Sequence, residues 1–187
     1  PKKARHDLAV PPCRLESQIE LPQEAGIQYV FRHLATDQAR TAAIAAEVMA
    51  AYGQGRKLLV LTERTEHLDA IQTALSDKVS TLFVLHGRVS RKQRSVLIAV
   101  LNALPPDASR VLLATGKLVG EGFDHPPLDT LVLAMPVSWK GTLQQYAGRL
   151  HRQHASKTDV RIIDFVDTGH PALLRMWDKR QRGYRAM

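Results

Sequence analysis

The stretch KLLVLTERTEHLDAIQTALSDKVSTLFVL, residues 57–85, decides the fold class of this chain. It opens with an apolar run of strand length (57–62) and closes with a second such run (79–85). Between them, leucine and isoleucine recur at the i, i+3, i+7 spacing of one helix face (68–75). A strand, an amphipathic helix and a second strand form a β–α–β unit, which predicts two strands that run parallel.

The same alternation continues on both sides of this stretch. An alanine-rich helix precedes it, capped by Thr36 or Asp37 and running to about Tyr52. Further strands are predicted at 110–115, 129–134 and 159–166, and further helices at 90–104, 143–150 and 171–184. Because these strands are almost continuously apolar, helices must cover the sheet on both faces. The sequence therefore predicts an α/β domain of three layers around a mainly parallel central sheet.

Helical spacing also assigns side chains to faces. The predicted apolar face of the helix at 90–104 comprises Val96, Leu97, Val100, Leu101 and Leu104. In the last helix Leu174 and Trp177 share a face, with Trp177 in the core. The basic residues that end this helix are predicted to be solvated: Lys179, Arg180, Arg182 and Arg185.

Composition is that of a globular chain of 187 residues with 44% hydrophobic and 24% charged residues. No apolar run approaches the roughly 18 residues of a transmembrane helix, so no membrane partner is expected. The single cysteine, Cys13, excludes an internal disulfide and a multi-cysteine zinc site. His6, Cys13 and His33 lack the spacing of metal ligands, so no metal site is expected. A chain with a single cysteine fits a reducing compartment, so a cytoplasmic location is expected.

The N-terminal part differs from the rest in composition. Residues 1–26 are polar, carry four of the ten prolines and show no sustained period, and Gln28–Arg32 could form a short edge strand. We predict an arm at residues 1–35 that leads in from a preceding domain, followed by a folded domain at residues 36–187.

Positive charge is concentrated at the other end of the chain. The net charge is +8, and residues 138–187 hold 10 Lys/Arg against 4 Asp/Glu. This asymmetry indicates an anionic partner such as nucleic acid or phosphate, or equally a solvated basic helix.

Hydroxyls, glycines and arginines follow the predicted strands, where ligands of parallel sheets bind. The segments are TER (62–64), HG (86–87), ATGKLVGEGFD (114–124) and QQYAGRLHR (144–152). In this order they resemble motifs IV, V and VI in the second RecA-like domain of superfamily 2 helicases. Among these, the chain looks most similar to bacterial DEAD/DEAH-type helicases related to type III restriction subunits and excision-repair helicases.

The resemblance implies a set of nucleotide-binding residues. Arg149 and Arg152 would contact the γ-phosphate as catalytic residues, with Arg152 as the arginine finger. Gln145 would lie near the nucleotide or the opposing domain. Gly122 and Asp124 would approach the nucleotide between domains, with Asp124 accepting a ribose hydroxyl. Surface roles remain open for these side chains, and Asp124 could instead cap a turn.

The resemblance implies a second set that contacts the nucleic-acid backbone. Thr115, Thr62 and Arg64 would touch phosphates or sugars, which positions a strand without reading its sequence. Thr62 could instead cap a strand end. His86 and Gly87 resemble the segment that lies against nucleic acid in this family. Arg94 matches a phosphate-gripping arginine, and with its basic neighbours it could equally form a solvated face.

Half of an ATPase site is missing from the sequence, which contains no GxxxxGK(S/T) motif and no DExx box. The resemblance therefore implies ATP with Mg²⁺ as cofactor, with the Mg²⁺ held by an N-terminal RecA-like domain of the same polypeptide. The chain alone is expected to be inactive. The implied function is the second motor domain of an ATP-dependent helicase or translocase, with DNA favoured over RNA.

Two alternatives remain. A non-catalytic DNA- or RNA-binding module of the same fold would use only the basic face. A dinucleotide-binding α/β enzyme is less favoured because no GxGxxG opens a helix after a strand.

Overall fold

The computed structural model describes residues 8–15, 21–115, 123–137, 142–150, 157 and 159–187. The described strands are β1 (Leu8–Ala9), β2 (Pro12–Leu15), β3 (Lys57–Thr62), β4 (Leu82–Leu85), β5 (Arg110–Thr115), β6 (Thr130–Leu133) and β7 (Val160–Asp167). The described helices are α1 (Ile27–Thr36), α2 (Gln38–Gly53), α3 (Thr65–Leu75), α4 (Arg91–Ala103), α5 (Thr142–Leu150) and α6 (Pro171–Ala186).

All strand pairings in the described residues are parallel, as the sequence predicts. The sheet has the order β1-β7-β6-β3-β5-β4, and β2 also pairs with β7. Because β1 pairs with the first residues of β7 and β2 with the last, these two short strands lie end to end along one edge. Seven strands thus fill six positions across the sheet.

Helices cover both faces of this sheet, which confirms the predicted three layers. On one face, α2 and α3 pack their apolar side chains on alternate residues of β3, β5 and β7. On the other face, side chains of α4, α5 and α6 pack on the remaining residues of the same strands. No helix in the described ranges is long and apolar enough to span a membrane.

Helix caps explain where two of the predicted helices begin. The Asp37 side chain accepts a hydrogen bond of 3.1 Å from the backbone N–H of Arg40, so Asp37 is the cap of α2. Ser90 and Gln93 exchange side-chain and backbone hydrogen bonds in a capping box at the start of α4.

The segment Gln28–Arg32 belongs to helix α1, so the predicted edge strand is wrong. Val30 and Leu34 are fully buried, and this i, i+4 pair packs against Met135 and Leu173. The five residues 28–32 alone could not reveal the helical period, because Leu34, the i+4 partner of Val30, falls outside them. Residues 8–15 and 27–36 therefore pack onto the domain, whereas the role of residues 1–35 as a link to a preceding domain stays a prediction.

The predicted face of α4 is partly wrong. Val96 and Val100 are 59% and 52% exposed, whereas Leu97, Leu101 and Leu104 pack into the core. The helix lies beside the edge strand β4, where the sheet offers a narrow surface, so only part of the apolar stripe is covered.

Two assignments in α6 also need correction. Leu174 is exposed, and Trp177 is partly buried against the core. Arg180, predicted to be solvated, is buried because Asp164 of β7 pairs with it inside the domain.

Candidate functional site

Four predicted nucleic-acid residues lie along the edge of the sheet that is formed by the carboxyl ends of its strands. Thr62 ends β3, Thr115 ends β5, and His86 and Gly87 follow β4 directly. These strands are adjacent in the order β3-β5-β4 and all run in the same direction. Neighbouring strands are about 4.8 Å apart, so their carboxyl ends form a short row.

Thr62 does not present its side chain at this edge. It is 1% exposed, and its hydroxyl lies 2.8 Å from Nδ1 of His67 on α3. The hydroxyl is thus directed at His67 inside the domain, and a phosphate contact by Thr62 stays a prediction. The sequence signal that was missed is the spacing of five residues between a strand-terminal threonine and a histidine in the first turn of the next helix.

His67 is fully buried, and its Nε2 has no hydrogen-bond partner among the described residues. Burial, with the nearby positive charge of Arg40 as the next cause, lowers the pKa of His67 to about 4, and Glu66 opposes this shift. The ring is therefore neutral in the folded protein at neutral pH.

We expect the free energy of unfolding to fall as the pH drops from about 6.5 towards 4. In this window the unfolded chain binds a proton at residue 67 that the folded chain does not. The loss over the whole window should be roughly 3 kcal/mol. Urea unfolding followed by circular dichroism at several pH values measures it. In His67→Asn, whose amide can keep the contact to Thr62, this part of the pH dependence should disappear.

The matched control is His86→Asn, since His86 lies at the surface edge and is half-buried. It leaves the buried ring of His67 in place, so the loss of stability assigned to His67 should remain. Equal slopes in the wild type and His67→Asn would contradict the assignment.

Arg64 is held by helix α1. Its Nη2 donates to Oε1 of Gln28 at 2.9 Å and to the Gln28 carbonyl at 3.2 Å, and its Nη1 lies 3.4 Å from Glu66. The guanidinium is partly exposed beside these partners. The structure thus places Arg64 at the same edge as Thr115, with α1 fixing its direction.

The turn after β4 carries a second basic group. The backbone N–H of Arg88 donates to Nδ1 of His86 at 3.1 Å, and Gly87 is exposed in this turn. Arg94 is half-buried in the first turns of α4. Arg91 and Lys92 beside it are exposed, so the surface here is basic.

Of the predicted nucleotide residues, the structure describes the side chains of Asp124 and Gln145. Asp124 is exposed and lines a small cleft with His125, Tyr146 and Leu150. The cleft has a volume of about 20 Å³, which is space for one water molecule and far too little for a nucleotide.

Helix α5 carries the other members of this group. Gln145 is exposed on it, and residue 149 lies in the same helix between Tyr146 and Leu150, although nothing is described of the Arg149 side chain. Gly122 and Arg152 lie outside the described residues. The structure therefore brings Asp124 close to the C-terminal half of α5.

Gly148 on α5 has no packing reason among the described residues. It is exposed, and a Cβ built on it would have no heavy atom of the described residues within 4 Å. Glycine within a helix costs roughly 0.5–1 kcal/mol relative to alanine. The described part of the fold therefore does not require glycine at this position.

Two buried ion pairs that sequence analysis missed hold the exit of β6, where the chain leads to α5. From one face of the sheet, Arg40 donates to both carboxylate oxygens of Asp167 at 2.9 and 3.0 Å and to the Ala134 carbonyl at 2.6 Å. From the other face, Arg180 donates to both carboxylate oxygens of Asp164 at 2.7 and 2.9 Å and to the Val137 carbonyl at 3.0 Å.

A third group joins the second pair. The hydroxyl of Tyr184 donates to Asp164 at 2.7 Å, and burial together with this carboxylate raises the pKa of Tyr184. The signal in the sequence is the pair of aspartates at positions 164 and 167 of a strand whose other residues, apart from Arg161, are apolar. A buried carboxylate requires a partner.

Residues 39–154, more than half of the chain, match the family described as the helicase conserved C-terminal domain. The chain belongs to this family. As a helicase C-terminal domain it is similar in structure to T4 UvsW, with a TM-score of 0.75, 18% identity and coverage of 98% of this chain and 40% of that chain. This likeness confirms the RecA-like fold.

Two sequence relatives of this helicase C-terminal domain are viral. Uncharacterized protein 108L of Invertebrate iridescent virus 3 is 41% identical over 80 residues, which are 42% of this chain and 70% of the relative. The probable helicase D10 of Escherichia phage T5 is 25% identical over 119 residues, which are 64% of this chain and 26% of that protein. The resemblance to helicases is thus confirmed at the level of the C-terminal family, whereas a bacterial origin is not.

Proposed function

We propose that this chain is the second motor domain of an ATP-dependent nucleic-acid helicase or translocase. Membership of the helicase C-terminal family supports the motor. Within it, the two sets of residues predicted from the sequence would divide the labour. The row at the carboxyl edge of the sheet would hold a nucleic-acid backbone. The predicted nucleotide residues on α5 and at Asp124 would contact a nucleotide when the two domains of the motor close.

The nucleotide group has the character of half a site. Bound ATP with Mg²⁺ would supply the phosphoanhydride whose hydrolysis drives the motor. The residues of this chain that would hold it are Gln145, Arg149, Arg152, Gly122 and Asp124. Because the sequence lacks a GxxxxGK(S/T) motif and a DExx box, the rest of the pocket would come from a first RecA-like domain, which would also hold the Mg²⁺. The chain alone would then be inactive.

The observation that carries this proposal is the open surface around Gly148. The glycine costs helix stability, and the described residues do not need it. A surface that approaches α5 to within contact distance, such as the opposing domain or the nucleotide, would account for it.

The substitution Gly148→Ala tests the proposal because its two effects should have opposite signs. In this chain, alanine should raise the free energy of unfolding by roughly 0.5–1 kcal/mol, measured by urea titration. In the complete two-domain motor, the added methyl group should hinder closure and lower nucleic-acid-stimulated ATP hydrolysis by roughly tenfold or more.

Gln144→Ala is the matched control, since Gln144 is exposed on the same helix and lies outside the predicted set. It should leave both quantities close to the wild-type values. If the Gly148→Ala motor hydrolyses ATP at the wild-type rate, this result contradicts the close approach of a second surface to α5. Absence of hydrolysis in the wild-type motor would favour the non-catalytic binding module.

The proposed track consists of Arg64, Thr115, His86, Gly87 and Arg94. Thr62 would support it only indirectly, through His67. We favour DNA over RNA because of the resemblance to type III restriction and excision-repair helicases, and a cytoplasmic location accords with this role. Comparing stimulation by single-stranded DNA and by single-stranded RNA distinguishes the two polymers.

A further inference from the structure

Helix α1 exposes an aromatic side chain at the edge of the sheet where the proposed track lies. Tyr29 is 52% exposed, although Val30 and Leu34 of the same helix are fully buried. Packing of α1 onto the domain therefore rests on these aliphatic residues and leaves the ring of Tyr29 to the solvent.

Hydrogen bonds fix α1 next to the proposed track. Arg64, directly after β3, donates to both the side chain and the backbone carbonyl of Gln28, the residue before Tyr29. Further along the edge, the His170 ring lies 3.2 Å from the Gln23 carbonyl, just before the helix. Tyr29 is thus carried by a helix that is tied to this edge at two places.

The exposed face of α1 is basic as well as aromatic. Arg32 is exposed, and it shares a face with Gln28 at i, i+4 and with Tyr29 at i, i+3. Arg32 therefore lies between the ring of Tyr29 and the side that contacts Arg64. Two guanidinium groups and one aromatic ring occupy neighbouring positions.

This surface continues the row of strand ends. In the sheet, β3 is followed by β5 and β4, so Arg64, Thr115 and His86 succeed one another along the edge. Helix α1 adds Arg32 and Tyr29 at the end of this row, beside Arg64. A single strand that follows the row would reach α1 after leaving Arg64.

We propose that Tyr29 stacks on a base of single-stranded nucleic acid and that Arg32 holds an adjacent phosphate. Every base has a π-face, so an exposed ring flanked by cations binds single strands without regard to sequence. The inference rests on the proposed function and extends its track by one contact. The cations beside the ring and the net charge of +8 favour a polyanion over a protein surface at this place.

The test is the affinity of this chain for a fluorescein-labelled oligothymidylate, measured by fluorescence anisotropy at several salt concentrations. Tyr29→Ala should weaken binding roughly 5- to 100-fold, with an unchanged salt dependence. Tyr29→Trp should keep or strengthen binding. Arg32→Ala should make the plot of log affinity against log salt concentration less steep, by the amount expected for the loss of about one phosphate contact.

Val100→Ala is the matched control, because Val100 is exposed to the same degree as Tyr29 but lies in the second half of α4, which runs away from this edge. It should bind like the wild type. Binding by the wild type that is unchanged in Tyr29→Ala would overturn the proposal and leave the proposed function standing. If Tyr29→Ala has an effect only when a first motor domain is bound, the ring contacts protein rather than a base. This result would also overturn the proposal.

A wild-type chain that does not bind the oligonucleotide even at low salt would contradict the nucleic-acid part of the proposed function, and the stacking proposal with it. Photocrosslinking with an oligonucleotide that contains 5-iodouracil gives a second readout. A crosslink at Tyr29 supports stacking, and crosslinks confined to the surface around α4 oppose it.

Discussion

Replacing Arg152 by alanine is expected to lower nucleic-acid-stimulated ATP hydrolysis by the complete two-domain motor by roughly 10³-fold or more. In the proposed motor, Arg152 would neutralise charge that develops on the γ-phosphate in the transition state. Because the interaction strengthens in the transition state, the loss should fall on kcat rather than on the KM for ATP. Phosphate release at saturating single-stranded DNA measures the rate.

Two further variants separate an arginine finger from a general loss of charge. Arg152→Lys keeps the charge but loses the planar fork that binds two phosphate oxygens, so it should remain strongly impaired. Arg182→Ala removes an exposed arginine whose pair with Asp178 is 65% exposed on both sides, and it should hydrolyse ATP like the wild type. Unchanged hydrolysis in Arg152→Ala would remove the finger role.

Replacing Asp164 by alanine is expected to lower the free energy of unfolding by about 3–5 kcal/mol. Arg180 and Asp164 are each 1% exposed, and alanine at position 164 would leave the guanidinium buried without a counter-charge. The hydroxyl of Tyr184 would lose its acceptor at the same time. Urea unfolding followed by circular dichroism measures the change.

Asp178→Ala provides the comparison, because it removes an aspartate of α6, the helix that carries Arg180, from an exposed pair with Arg182. It should cost at most about 1 kcal/mol. Tyr184→Phe removes only one hydrogen bond to the buried carboxylate and should cost roughly 1.5–3 kcal/mol. This milder variant keeps the test decisive if Asp164→Ala does not fold. A loss below about 1 kcal/mol in Tyr184→Phe would contradict a strong buried cluster.

The fold was predictable because each element carries its own local signal. The apolar run at 57–62 and the helical spacing at 68–75 need no information from elsewhere in the chain, and they form β3 and α3. The Ser90 cap and Pro171 at the start of the last helix are local signals of the same kind. Strand order was not predictable from such signals.

The position of the candidate site was predictable from the rule that ligands bind at the carboxyl ends of parallel strands. The environment of its members was not. Thr62 is buried because a histidine on the next helix faces it, and Arg64 is held by α1, from a segment 36 residues earlier in the sequence.

The buried ion pairs could not be predicted for the same reason. Arg40 and Asp167 are 127 residues apart, and only the completed sheet brings them together. Charge counting along the sequence treats every arginine as exposed. It therefore assigned Arg180 to the basic surface of the C-terminal segment, although this residue neutralises Asp164 inside the domain.

The packing of residues 8–15 and 21–36 has a practical consequence for expression of a shortened protein. Because the family match starts at residue 39, a shortened protein designed from it would lack all the residues before that position. Such a protein would bare the outer backbone edge of β7, now paired with β1 and β2, and would uncover the apolar surface of Met135 and Leu173. An unpaired strand edge beside an apolar patch promotes self-association, so the shortened protein should aggregate where the longer one stays dispersed.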